Sequence, residues 1–472
     1  MARALCSRLR LDSGAAIAGS PIARAMTERY DLLLKGGICA TPGGLVGADI
    51  ATYQGRIAAL GALGDAEAAE VVDARGLHVL PGVIDTQVHF REPGLEHKED
   101  LATGTKAAAL GGVVAVFEMP NTKPGTTTAA LLEDKLARAQ GRAWVDHAFF
   151  VGASPENFSA LPALERLPGC AGVKLFMGSS TGSLLVPDDG GVLSVLKSGR
   201  RRVAVHAEDE ARLMARRPIA IEGAKPHLHP VWRDEETALR AVHRLVALAR
   251  QAGRRVHVLH VTSAEEMALL ARHKDIATVE VTPQHLTLAA PECYERLGTL
   301  AQMNPPIRDG RHRDALWRAV ADGVVDVIGS DHAPHTREEK ARPYPESPSG
   351  MPGVQTLVPL LLDHVNAGRL ALERLVDLTS AGPARIYGIA SKGRLALGYD
   401  GDFTVVDLKA RRTIENRWIA SRCGWTPFDS LRVTGWPKLT VIRGRIVMRE
   451  DEIVGLPAGA PARFLETLPP EP

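Results

Sequence analysis

From Leu80 onward the chain repeats one unit: a short apolar run rich in β-branched residues, then a polar-faced stretch with helical spacing. The apolar runs are VLPGVIDTQVHF, VVAVFEMP, VDHAFFVGA, AGVKLFMG, RRVAVHAED, RVHVLHVTS, ATVEVTPQHL and VVDVIGSDHAPH. Between several of them lie Ala/Leu-rich segments such as DLATGTKAAALGG, AALLEDKLARAQG and DEETALRAVHRLVALARQAG. Strand–helix alternation repeated eight times over roughly 250–300 residues predicts an α/β fold, a parallel (β/α)8 TIM-like barrel. We assign residues 81–385 to it.

The two ends carry a different pattern. Residues 27–80 and 386–460 contain short alternating runs with glycine turns, as in YDLLLKGGICA and PKLTVIRGRIVMREDEIVG. Neither end alone could bury a core. Together they predict one small β-sandwich beside the barrel, built from both ends of the chain. The tail, 461–472, is Pro/Ala-rich and is expected to pack weakly. Residues 1–26 are rich in Arg and Ala with one acid, Asp12. That composition fits a transit peptide; an upstream start is the simpler reading, and the stretch is left out of the fold.

Composition narrows the function. Of 472 residues 45% are hydrophobic and 24% charged, ordinary for a globular protein, and Lys+Arg minus Asp+Glu is 57 − 55 = +2. This near-balance gives no reason for a nucleic-acid or anionic-membrane partner, and no apolar run is long enough to span a bilayer. Cys6, Cys39, Cys170, Cys293 and Cys423 are scattered and odd in number. They predict neither a disulfide framework nor a thiolate zinc site, and a reducing cytoplasm is the expected location.

Barrel enzymes work at the C-terminal ends of their strands. Reading those ends in order gives His89, Lys174, His206, His260 and Asp331. A lone histidine in an apolar strand is more often a satisfied core residue. Five polar ends at one rim are poorly explained by packing, and imidazole with carboxylate suits zinc or a similar divalent ion. In PGVIDTQVHFREPG, strand alternation sets Asp85, Gln87 and His89 on one face. A neutral amide therefore stands where a second imidazole would make a ligand pair. Lys174 is open to two readings. It is a lysine snorkelling away from the cation, or its amine, kept neutral by burial, has taken up carbon dioxide as a carbamate ligand.

The motifs HFREPG, EMPNTKP, VKLFMG, VHAED, HVTS, MNPPIR and SDHAPHT resemble those of dihydroorotases of the amidohydrolase superfamily, in the longer of that enzyme's two types. The likeness runs from about Tyr30 to about Ile453. Allantoinases are similar but usually carry asparagine where Arg91 stands.

The resemblance implies a two-metal zinc site: His206 and His260 on one ion, His89 and Asp331 on the other, N6-carboxylated Lys174 between them. It also implies Asp331 as the proton carrier, and the reversible interconversion of N-carbamoyl-L-aspartate and L-dihydroorotate in pyrimidine biosynthesis. Arg91, Asn121 and His335 would hold the substrate carboxylate, and Asn304 with the backbone at Pro352 and Gly353 would lie near the ring. From residue type alone, Asn121 after Pro120 could simply shape a turn, and Asn304 before Pro305 a restricted loop. Gln87 departs from the family's usual H-x-H, so one firmly bound zinc and a second, weaker one are expected, with Gln87 a poor ligand or a hydrogen-bond partner behind the metal. A small-molecule substrate and a homo-oligomer are the expected partners. The competing readings are an allantoinase- or hydantoinase-like amidase, and a non-catalytic scaffold subunit for aspartate transcarbamoylase.

Overall fold

The computed structural model describes residues 29–180 and 184–468. The leader expected at 1–26 lies outside the described residues.

Eight parallel strands form one sheet: β6 (Val83–Val88), β7 (Val113–Glu118), β8 (Asp146–Gly152), β9 (Cys170–Phe176), β10 (Val203–His206), β11 (Val256–Val258), β12 (Ala277–Val281) and β13 (Val327–Ile328), each beside the next. A single parallel bridge, Val88 to His332, links the two edges, with His89 N–H donating to His332 O at 2.7 Å. This is the expected (β/α)8 barrel. Every residue of β7, β8 and β9 is buried. A parallel sheet covered on both faces reads as a continuous apolar run, which is why these strands stood out in the sequence. The three quoted helical segments form helices Leu101–Leu110, Ala129–Ala139 and Glu235–Ala252, capped by the side chains of Asp100, Thr128 and Asp234. Gly253, at φ 65°, ends the last of these in a left-handed turn that disfavours other residues.

The chain ends share a second sheet of nine strands: β1 (Tyr30–Thr41), β2 (Gly44–Tyr53), β3 (Arg56–Gly61), β4 (Ala68–Asp73) and β5 (His78–Pro81) with β14 (Phe403–Thr413), β15 (Arg432–Ile442), β16 (Arg445–Arg449) and β17 (Glu452–Ile453). The ends meet where β5 pairs antiparallel with β14, Pro81 opposite Phe403. Leu32, Leu34, Ile50 and Val79 pack in one cluster with Phe403, Val405, Leu439 and Val441, so neither end has this core alone.

Charge fastens this sheet to the base of the barrel. Buried Lys392 contacts Asp146 at 2.6 Å and Asp400 at 3.2 Å, and also Asp402. Three carboxylates on one amine compensate its burial.

The tail departs from expectation. Ala462 and Phe464 are buried, and Ala462 N–H donates to His147 O at 2.8 Å. The Phe464 ring lies 5.8 Å from that of Phe117. One aromatic at the barrel base outweighs the loose composition around it.

Candidate active site

Nine of the twelve residues singled out in the sequence line one pocket at the C-terminal rim: Gln87, His89, Arg91, Asn121, Lys174, His206, His260, Asn304 and Asp331. Phe176, Ser180, Ala333, Ser349 and Gly350 complete the wall. His335 stands behind Arg91, with its Nε2 3.3 Å from the guanidinium. Pro352 and Gly353 are placed elsewhere. They line a small neighbouring cavity beside His332, because Gly353 N–H is drawn to His332 Nδ1 at 3.1 Å, and Ser349 and Gly350 take the pocket wall instead. A separate surface concavity of about 880 Å³ is distant in kind: an arginine-lined groove between β14 and β15 with none of the twelve residues.

The nitrogen and oxygen donors come in two pairs. His206 Nδ1 and His260 Nε2 are 3.0 Å apart, and His89 Nε2 is 3.1 Å from Asp331 Oδ1. Burial lowers the pKa of all three imidazoles, that of His260 most strongly, so they stand neutral with lone pairs available. Lys174 lies on β9, buried, its Nζ 4.6 Å above the Phe176 ring and in no ion pair among the described residues. Burial brings its pKa from 10.5 to about 7.

Gln87 turns its amide nitrogen to Asp331, donating to Oδ1 at 3.1 Å, and its buried Oε1 has no hydrogen-bond partner among the described residues. Arg91 is almost fully buried. Its Nε donates to Pro334 O at 3.1 Å, yet no carboxylate pairs with it among the described residues. Burial lowers its pKa to about 10, which leaves it cationic at neutral pH. Arg91, His260 and Asp331 have positive φ of 67°, 37° and 44°. Such left-handed backbone costs of order 1–3 kcal/mol per residue and concentrates where geometry serves a site.

The model of the amidohydrolase family matches residues 78–447. The chain belongs to that family. A dihydroorotase of Halobacterium salinarum is 38% identical over 413 residues, covering 86% of this chain and 94% of the relative. An L-hydantoinase of Paenarthrobacter aurescens is 32% identical over 448 residues, covering 90% and 96%. The solved structure of the L-hydantoinase (dihydropyrimidinase) from Arthrobacter aurescens superposes with a TM-score of 0.87 at 30% identity, covering 92% of this chain and 99% of that one. The protein is thus a hydrolase of cyclic amides, a dihydroorotase-like amidohydrolase.

An amidohydrolase of this kind implies a divalent metal, and the donors fit one. Two nitrogens on one tetrahedral zinc stand about 3.3 Å apart, close to the His206–His260 separation. His206 Nε2 lies 3.0 Å from the Glu208 carboxylate, within ion-pair distance, although that nitrogen has no hydrogen bond among the described residues. Burial would raise the Glu208 pKa, but Arg233 and His206 outweigh it and hold the carboxyl well below its usual range. Among the described residues no three His, Cys, Asp or Glu side chains converge at ligand spacing. The donors are two pairs with Lys174 beside them.

Sequence reasoning missed several supports in this amidohydrolase. Asp85 Oδ1 accepts Ser330 N–H at 2.9 Å, tying β6 to the residue before Asp331. Glu99 accepts from His332 Nε2 at 3.3 Å and from the Ser421 hydroxyl, so a loop of the end sheet reaches the rim. Lys98 contacts His335 at 3.2 Å and Glu339 at 3.0 Å. Asp85 sat on the quoted strand face beside Gln87 and could have been found there. Glu99 and Lys98 carried no signal, because their partners lie more than 200 residues away.

Proposed function

We propose that the protein interconverts L-dihydroorotate and N-carbamoyl-L-aspartate with a zinc-dependent site, the dihydroorotase step of pyrimidine biosynthesis. What carries the reading is Arg91: a buried guanidinium without a carboxylate partner among the described residues, lining the pocket that holds the imidazole and aspartate donors. A planar cation so placed is matched to a carboxylate on the substrate. His335 contacts the guanidinium, and Asn121 lines the same pocket. His335 is kept uncharged by burial and by Arg91 beside it, and Asn121 Oδ1 lies 2.8 Å from His89 Nδ1.

His89, His206, His260, Asp331 and Lys174 would hold the metal, which supplies Lewis-acid activation of water and of the scissile carbonyl when bound. Asp331 moves the proton. Among the described residues both of its side-chain hydrogen bonds fall on Oδ1, from His89 and Gln87, leaving Oδ2 to take the proton of the attacking water and pass it to the ring nitrogen as the amide C–N bond breaks. Asn304, Ser349 and Gly350 enclose the ring side. Turnover of L-dihydroorotate by zinc-supplemented protein, with metal per chain counted on the same sample, tests the reading; no turnover despite bound zinc overturns the substrate. The hydantoinase relatives favour a second reading in which a hydantoin ring is opened, and the same assay on hydantoin decides between them.

Two expectations follow for the metal. Gln87 serves Asp331 by hydrogen bond, and an imidazole there would add a donor next to His89. Gln87→His therefore raises metal per chain; unchanged stoichiometry by elemental analysis rules the idea out. Carbamate formation at Lys174 needs the free amine. Its pKa, lowered from 10.5 to about 7, leaves the amine neutral above that pH and protonated below it. Reconstitution of metal-stripped protein with zinc at fixed dissolved carbon dioxide should therefore fall as pH drops through about 7. Uptake that is flat from pH 6 to 9 would argue against a carbamate.

A further inference from the structure

His229 opens the short helix His229–Trp232 and took no part in the sequence reading. Its ring is fully buried where several pocket segments meet. Nε2 lies 3.0 Å from Met303 O and 2.9 Å from Asn304 Oδ1, and 3.5 Å from the Ser349 hydroxyl. Nδ1 lies 3.3 Å from the Tyr344 hydroxyl.

These contacts settle the ring and then the amide. A main-chain carbonyl can only accept, so Nε2 carries the hydrogen and donates to Met303 O. The Asn304 atom beside the same N–H must then be the oxygen, since a flipped amide would set N–H against N–H. Nδ1 accepts from Tyr344, in keeping with an imidazole that burial and the nearby Arg233 hold at a pKa of about 3. The Asn304 Nδ2 has no partner among the described residues, and Asn304 lines the pocket.

We propose that His229 is a positioning residue for Asn304, locking its amide so that the N–H donors face the pocket and bind a carbonyl oxygen of the substrate ring. A donor at this point selects rings that present an acceptor and leaves the amide group unsatisfied against rings that do not. The inference rests on the reading of the pocket as a cyclic-amide site, but it does not depend on which ring is opened, because dihydroorotate and hydantoin both carry ring carbonyls.

The test is a kinetic cycle on the purified, metal-loaded protein, run on whichever ring the unsubstituted protein turns over, so a wrong substrate reading shows first and leaves the cycle intact. Asn304→Asp, which replaces the donor by an acceptor of the same shape, should raise KM at least 10-fold. Asn304→Ala and His229→Leu should each raise KM about 10-fold, with metal content and melting temperature held. The double variant should be no more than 2-fold worse than Asn304→Ala alone, because His229 acts through Asn304. His229→Gln, which restores an N–H donor, should recover most of the loss. A wild-type KM in Asn304→Asp overturns the proposal, as does a double variant whose KM change is the product of the single changes. If His229→Leu does not fold, Asn304→Asp still decides the donor, and His229→Gln as impaired as Asn304→Ala would refute the positioning role.

Discussion

Arg91→Met should lower kcat/KM for L-dihydroorotate by about 10³ through KM, while leaving turnover of an unsubstituted hydantoin within about 3-fold of its starting value. Among the described residues the buried guanidinium has no acidic partner, and it remains charged, so a substrate carboxylate would be its counter-ion. A charge-assisted hydrogen bond contributes roughly 1.5–3 kcal/mol, and a two-point contact about twice that. At about 1.4 kcal/mol per tenfold this gives two to four decades, and 10³ is the centre of that range. Folding should survive. The main-chain bond from Nε to Pro334 O is lost, but so is the cost of an unpaired buried charge. Equal losses on both rings would mean that Arg91 supports the pocket wall and reads no carboxylate.

Asp331→Asn should reduce kcat by roughly 10²–10⁴, the span of a positioned general acid–base, with KM changed little. The substitution keeps the shape and removes the proton-accepting oxygen. Gln87 and His89 both contact Oδ1, so an asparagine there can still accept their hydrogen bonds through its own oxygen and remain in register. Metal per chain must be measured alongside. If metal and rate fall together in proportion, Asp331 is only a ligand. A rate that falls while metal is retained identifies it as the proton carrier.

The barrel was legible because each parallel strand is buried on both faces and so appears as an apolar run, eight times over, between stretches of helical spacing. His89, Lys174, His206, His260 and Asp331 were legible for the same reason, since strand ends in a barrel share one rim. Arg91 followed from the family resemblance of the HFREPG motif. Three things were not legible. Pro352 and Gly353 follow the course of a loop held by His332, and no local pattern records that hold. Phe464 packs at the barrel base despite a Pro/Ala-rich tail, because one large aromatic buried in the main hydrophobic cluster outweighs composition. Glu99 and His229 each work through a side chain on another element, at separations that no sequence period spans.

The sequence by itself determined the class of fold and which residue types ring the site, since periodicity and strand-end position are local properties carried by neighbours along the chain. Tertiary structure decided what those residues do. It left Arg91 without a carboxylate partner among the described residues, turned Gln87 toward Asp331, and gave the Asn304 amide its direction through His229. These depend on burial and hydrogen-bond geometry between distant segments, and only the folded chain brings those segments together.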